Sequence, residues 1–328
     1  MNLGSPVATD NCGTTTATND APATFPLGAT TVHWTVSDGH GNTASCNQVV
    51  TVEDHEKPVI TLSGASPMTV ECHTTFTDPG ATAHDACGGD FAATASGTVN
   101  PNAVGTYTLT YNATDPSGNA AIPVTRTVTV VDTTPPTISC PGNITVYLPL
   151  NSSATSMVVS YSAPTATDTC GGTTTTQTGG LASGASFPVG TTINAFRVTD
   201  DAGNHTDCSF SVTVLYDFTG FFSPVGNIPV LNAVNAGRAV PVKFSLSGNK
   251  GLNIFAVDSP YSVGLNCNTS DPGVDVIETL TAGGSSLSYS PDQYIYVWKT
   301  ENSWAGTCRQ LVVTLNDGSV HVANFKFR

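Results

Sequence analysis

Hydrophobic positions along the chain alternate with polar ones in short runs and never settle into helical spacing. Thr31-Val-His-Trp-Thr-Val36, Tyr107-Thr-Leu-Thr-Tyr111 and Tyr294-Ile-Tyr-Val-Trp298 each place every second side chain on one face. That is the period of a strand with one buried side. Gly and Pro, 31 and 21 residues, punctuate the runs and mark frequent turns. No segment carries the Leu-, Glu-, Lys- and Ala-rich pattern of a long helix. The chain reads as all-β.

The alternation sits inside a repeat. Phe25–Cys46 aligns with Phe187–Cys208 over 22 positions without a gap, and nine are identical, including Phe, Pro, two Gly, Asp, Asn and Cys. Those are turn-forming or crosslinking types, so a local geometry is being repeated and not merely a composition. Upstream, Pro6-Val-Ala-Thr-Asp-Asn-Cys12 matches Pro164-Thr-Ala-Thr-Asp-Thr-Cys170, and Gly105–Asn119 is a more distant copy. In all three a strand runs into Asp-x-x-Gly-Asn, where Asp caps its own turn and Gly and Asn tolerate positive φ. The spacing predicts a hairpin whose second strands are Cys46–Val52, Thr125–Val131 and Cys208–Val214. Each ends in an acidic junction. Asp54, Asp132 and Asp217 recur 78 and 85 residues apart, the size of a small immunoglobulin-like sandwich.

Composition narrows the partners. Asp, Glu, Lys and Arg make up 10% of the 328 residues, against roughly 25% in globular proteins generally. The net charge is −14, from 24 acidic and 10 basic residues. With no basic stripe to neutralise phosphates, nucleic acid and anionic membrane are poor partners. No stretch of about 18 apolar residues is present to span a bilayer. The start, MNLGSPVATDNC, has neither a basic region nor an apolar one and is not a signal peptide. Nine cysteines, none in a Cys-x-x-Cys pair or at zinc spacing, imply disulfides and an oxidising compartment. The expectation is a piece of a longer secreted or cell-surface protein.

These motifs carry a resemblance. Residues 1–54 and 133–216 resemble the hyalin repeat, an immunoglobulin-like module of extracellular proteins. The supporting residues are Ile138-Ser-Cys-Pro-Gly-Asn-Ile144, the Ala-Thr-Asp-x-Cys pair, Phe-Pro-x-Gly-x-Thr and Asp-x-x-Gly-Asn. Residues 55–132 are similar to a bacterial surface immunoglobulin-like domain, through Pro58-Val-Ile-Thr-Leu-Ser-Gly64 and the stretch Cys72–Asp90. Residues 217–328 resemble a C-terminal β-domain of bacterial exported proteins named for its Pro-x-Lys-Phe motif, here Pro241-Val-Lys-Phe244. Phe218-Thr-Gly-Phe-Phe222 precedes that motif and Trp304-Ala-Gly-Thr-Cys-Arg309 follows it. The fold expected is therefore an elongated array of tandem immunoglobulin-like β-sandwiches. Residues 1–54 lack about two strands that precede Pro164 in 133–216. Either the chain is truncated there, or a strand from another molecule completes the sheet.

With modules so bounded, the cysteines pair within them: Cys12 with Cys46, Cys72 with Cys87, Cys170 with Cys208 and Cys267 with Cys308. Cys140 is left over. Many bacterial hyalin repeats bond this position to the next strand, but Asn151–Val159 offers no cysteine. Two readings stand, a buried lone thiol and an intermolecular disulfide.

Candidate chemistry is sparse. There is no nucleophile elbow, phosphate loop or HExxH, and no catalytic role is expected. Glu53, Asp54, Glu56 and Asp132 at the junctions are candidate calcium ligands, although without EF-hand spacing. His73 and His84 flank one loop beside Asp78 and Asp85, as a metal or acid–base pair or as solvated loop polarity. Lys243 alternates opposite Val242 and Phe244, which favours a solvated lysine over an isopeptide crosslink. Tyr294, Tyr296 and Trp298 share one face, as a core strand or a sugar-stacking platform. The reading is a non-catalytic extracellular stalk or adhesion segment, with other copies of itself or surface polymers and glycans as partners. A filament subunit built by strand donation and a carbohydrate-binding accessory region are the alternatives.

Overall fold

The computed structural model describes residues 2–267, 280–281 and 286–328. Among these the chain is all strand and turn, apart from one three-residue 3-10 turn at Asn302–Trp304. It divides into two compact units, residues 1–133 and 134–328.

In the first unit, β1 (Thr16–Asn19), β2 (Gly28–Ser37) and β3 (Thr43–Val52) form one antiparallel sheet in the order β1-β2-β3. The β2–β3 hairpin turns on Asp38–Asn42 and pairs Trp34 with Cys46. Its core is small: Val32, Trp34 and Val50, with Leu3, Ala17, Ala21 and Phe25 packed alongside. Next come β4 (Val59–Leu62), β5 (Met68–Glu71), β6 (Ala81–Asp85), β7 (Gly89–Ala92), β8 (Thr94–Ser96), β9 (Gly105–Asn112) and β10 (Val124–Val131). They make a two-sheet sandwich, β4-β6-β7 over β5-β10-β9-β8, with β5 parallel to β10.

Alternation along β10 puts Arg126 on the inward face, where it is fully buried. Its Nη2 donates to the carbonyls of Ser63 and Gly80 at 2.5 and 3.0 Å. Nη1 lies 3.3 Å from Asp78 Oδ1, and the guanidinium sits over the Tyr111 ring. A buried charge survives only when paired and hydrogen-bonded in this way. Burial and the hydrogen bond to Asp78 push the Tyr111 hydroxyl up to about 12.

The second unit begins with β11 (Thr137–Ser139), β12 (Ile144–Tyr147), β13 (Ser156–Val158), β14 (Thr165–Thr167), β15 (Thr173–Gly179), β16 (Ser186–Pro188), β17 (Gly190–Asp200) and β18 (His205–Leu215). The main sheet is β12-β18-β17-β15, with β12 parallel to β18; the pairs β11-β14 and β13-β16 accompany it. Then follow β19 (Phe221–Phe222), β20 (Leu231–Val234), β21 (Ala239–Phe244), β22 (Tyr261–Leu265), β23 (Leu280–Thr281), β24 (Ser286–Ser290), β25 (Gln293–Lys299), β26 (Cys308–Thr314) and β27 (Val320–Phe327). These form two sheets, β19-β21-β25-β24 and β20-β27-β26-β22-β23.

One hydrophobic core runs through this whole unit, from Leu148, Phe196 and Phe210 to Phe244, Trp298 and Phe327. Polar links cross the same boundary. Asp317 Oδ2 accepts from the Tyr216 N–H at 2.7 Å, and Lys250 Nζ donates to the Ser152 carbonyl at 2.5 Å. Gly248 has φ +120° and lies against the Ser152 backbone, where a Cβ would come within 2.4 Å of the carbonyl oxygen. Only glycine fits that approach.

Candidate functional site

The repeated motifs build one local device three times. In Ala-x-Asp-x-Cys, the Oδ1 of Asp10, Asp85 and Asp168 accepts the N–H of the cysteine two residues on, at 2.7, 2.9 and 2.7 Å. In Asp-x-x-Gly-Asn, Asp38, Asp115 and Asp200 accept both the backbone N–H and the side-chain Nδ2 of Asn42, Asn119 and Asn204. Gly41, Gly118 and Gly203 take positive φ in these turns. Asn42's side-chain hydrogen bond, then the His40 N–H, holds the Asp38 carboxyl below its ordinary value. Burial works against Asp115 and Asp200, yet their Asn partners and turn N–H groups outweigh it and lower both.

Where β3 runs on toward β4, two of these turns converge on Asp54. Ligand atoms of Asp54, Asp85 and Cys87 lie within 4.8 Å of one another. Asp85, in the turn from β6 to β7, is 2% exposed. Its Oδ1 accepts from the N–H of Cys87 and Gly88, while its Oδ2 is buried with no partner among the described residues. Asp54 is half-buried; its Oδ1 accepts the Glu56 N–H at 3.0 Å, and its Oδ2 is likewise buried and unpartnered. Asn119 Nδ2 ties the Asp54 carbonyl, at 3.1 Å, to Asp115 Oδ2 at 2.9 Å. The charge of Asp54, then burial and the charges of Asp85, Glu56 and Asp115, push the Cys87 thiol up. Two carboxylates with an adjoining thiol could hold a cation.

Of the four acids expected at the junctions, Asp54 is the one in this group. Glu53 is exposed beside His55 at 3.2 Å, Glu56 is exposed, and Asp132 is buried where β10 ends. Asp115 was missed as a candidate, and Asp85, expected beside His73, His84 and Asp78, is instead grouped with Asp54. The signal was present, since Asp85 and Asp115 are the aspartates of the repeated turn motifs.

The cysteines depart from the pairing expected within modules. Cys140 is not left over: it is bonded to Cys208, with the Cα atoms 5.9 Å apart. Alternation along β18 aims Cys208 inward with Phe210 and Val212, and Cys140, at the end of β11, reaches that interior. Cys170 is in the turn beside Asp201, its N–H committed to Asp168; it is not free, but its partner is not Cys208. Cys87 is a free, exposed thiol, so the Cys72–Cys87 bond does not form. Cys72 follows β5 at the Val131 end of β10, whereas Cys87 lies by the turn that precedes β10. The length of β10, about 25 Å, separates them. Cys12 and Cys46 are also free and exposed. Cys46 occupies the position of Cys208, but no described strand lies over that face to bring a partner. Cys267 is bonded to Cys308, crosslinking the paired strands β22 and β26.

The remaining candidates resolve as an exposed ion pair and as packing. His84 pairs with Asp90 at 2.6 Å, exposed, while Asp78 serves Tyr111 and Arg126; His73 and His84 do not share a centre. Lys243 is half-buried between the buried Val242 and Phe244. Tyr294, Tyr296 and Trp298 are all buried in the core.

Among known proteins, residues 2–52 and 131–214 match the HYR domain family, and residues 60–130 match the family "Bacterial surface protein, Ig-like domain". The chain is 38% identical to hyalin of Strongylocentrotus purpuratus over 202 residues, covering 58% of this chain and 16% of that protein. It is 38% identical to hyalin of Lytechinus variegatus over 226 residues, 64% of this chain and 41% of that protein. It thus spans less than half the length of either relative. Among solved structures, a protocadherin gammaB7 EC3-6 cis-dimer covers 92% of this chain and 85% of its own, at 14% identity and TM-score 0.26. No helix among the described residues is long and apolar enough to cross a membrane.

Proposed function

We propose that the chain is a non-catalytic extracellular segment of structural and adhesive character. Its β-modules, residues 1–54, 55–132, 133–216 and 217–328, would set spacing and present contact surfaces, and the last would be the Pro-x-Lys-Phe-type domain. The observation that carries the reading is the sandwich of residues 133–216. Its Asp-capped turns and the Cys208 end of its interior disulfide come from motifs that recur in 1–54, and residues 2–52 and 131–214 both match the HYR family. The repeated Asp, Gly and Asn serve turns in each copy and the alternating apolar residues serve the core, which is what a load-carrying repeat needs. The likeness to hyalin and the acidic, disulfide-bearing composition favour a secreted or cell-surface location. Beads coated with the purified chain test it. Clustering of those beads, or retention on surface polymer or a glycan array, above beads carrying an unrelated acidic protein, is the expected result. Beads that neither cluster nor bind any such surface would remove adhesion.

A second reading, strand addition from another molecule, is favoured by the edge of β3. The counterparts β10 and β18 each pair in parallel with a strand, β5 and β12; β3 pairs with β2 alone among the described residues. A donor of the Ile138–Tyr147 type would cover that edge with the counterpart of Ile144–Tyr147 and bring the counterpart of Cys140 to Cys46. Light scattering during size-exclusion chromatography should then show concentration-dependent oligomers, crosslinked in wild type and not in Cys46→Ser. A clean monomer sinks this reading.

A further inference from the structure

We infer that Asp54 and Asp85 hold a divalent cation of hard, calcium-like character, clamping the end of β3 to the turn between β6 and β7. This goes beyond the adhesive reading and does not depend on it. An acidic cluster alone would not suffice. The decisive feature is that both Oδ2 atoms are buried and unpartnered, and that Asp85 is 2% exposed. Leaving a carboxylate oxygen dry and unbonded is costly, and placing two such groups within 4.8 Å adds their mutual repulsion. A dication between them would relieve both costs.

The site is also preorganised. Each Oδ1 is fixed by backbone N–H groups, Cys87 and Gly88 for Asp85 and Glu56 for Asp54, so the direction of each Oδ2 is set. Asn119 holds Asp115, a third negative charge, in the same assembly through the Asp54 carbonyl. Three chain segments therefore converge: the junction, the β6–β7 turn and the β9–β10 turn. Oxygen donors of this kind suit calcium, with water completing its six to eight ligands. Cys87 adjoins the site, but its thiol is soft and a hard cation does not need it.

The test uses the full chain, stripped with chelator and returned to calcium chloride, read by hydrogen exchange of the peptides covering residues 54–57 and 85–89. Affinity in the range of roughly 0.1–1 mM is typical of extracellular modules. Calcium should slow exchange in both peptides and raise the melting temperature. Asp85→Asn keeps an Oδ1 acceptor for Cys87 and Gly88 while replacing Oδ2; it should weaken the calcium response by about tenfold or more. Asp54→Asn should do the same and carries the test if Asp85→Asn does not fold. Cys87→Ser should leave the response intact. No calcium-dependent protection of these peptides at millimolar calcium would overturn the inference. So would protection unchanged in both Asn variants, or a response to zinc alone that vanishes in Cys87→Ser. Bead adhesion is read separately, so its failure leaves this result standing.

Discussion

Residues 1–54 and 133–216 contain the same hairpin and make different objects from it. In both, a strand reaches an Asp-x-x-Gly-Asn turn, returns, and sets an aromatic opposite a cysteine: Trp34 against Cys46, Phe196 against Cys208. In 133–216 further strands cover the inward face, Cys208 finds Cys140, and Phe196 joins a core that continues to Phe327. In 1–54 the same face carries three buried hydrophobic residues, and its cysteine is an exposed thiol. The hairpin is a local product of alternation and turn chemistry. Stability is not local, because it needs the second layer.

The contrast can be broken by paired substitutions. Phe196→Ala should cost about 3–5 kcal/mol, as a large buried ring does in a closed core. Trp34→Ala at the matching position, as buried but in a core of only three buried residues, should cost less in scanning calorimetry, and equal costs would mean that the small core holds its ring as tightly as the large one. Cys140→Ser should next remove about 2–4 kcal/mol by opening a 68-residue loop, whereas Cys46→Ser should leave unfolding unchanged. Alkylation without reductant sharpens this: mass spectrometry should find label on Cys12, Cys46 and Cys87 and none on Cys140 or Cys208.

Turn substitutions come lower. Asn204→Ala strips a hydrogen bond from Asp200, which is buried, and should cost about 1–2 kcal/mol. Asn42→Ala strips the same bond from Asp38, which is only partly buried, and should cost less, a difference urea denaturation can read. The smallest effect is on pH. Folded Asp38 and Asp200 both have lowered values, so their contribution is fully present above the ordinary aspartate value. It fades as pH falls through the lowered values. In an acid titration of stability, Asp38→Asn and Asp200→Asn should each flatten that limb.

How much could be read in advance differs by residue. The strands Thr43–Val52, Val124–Val131 and His205–Leu215 were legible because alternation and the following turn are short-range. The burial of Tyr294, Tyr296 and Trp298 followed from the same period. Arg126 was not legible as a core residue: a charge on an inward position looks like an error until Asp78, Ser63 and Gly80 surround it. Pairing by module failed at Cys140 and Cys208 because membership of a module says nothing about which face or end a cysteine occupies. Asp85 was not legible as a neighbour of Asp54, because it comes from a turn 31 positions further along the chain.

The sequence by itself therefore determined the strand class, the repeat and the Asp-capped turns. All of these depend on residues within a few positions of one another or on composition. The tertiary structure alone decided which cysteines meet, that residues 134–328 share one core, and that two carboxylate oxygens are shut together at the first junction. Those outcomes depend on which faces are covered and which loops converge, and burial and electrostatics act across distances in space that spacing along the chain does not encode.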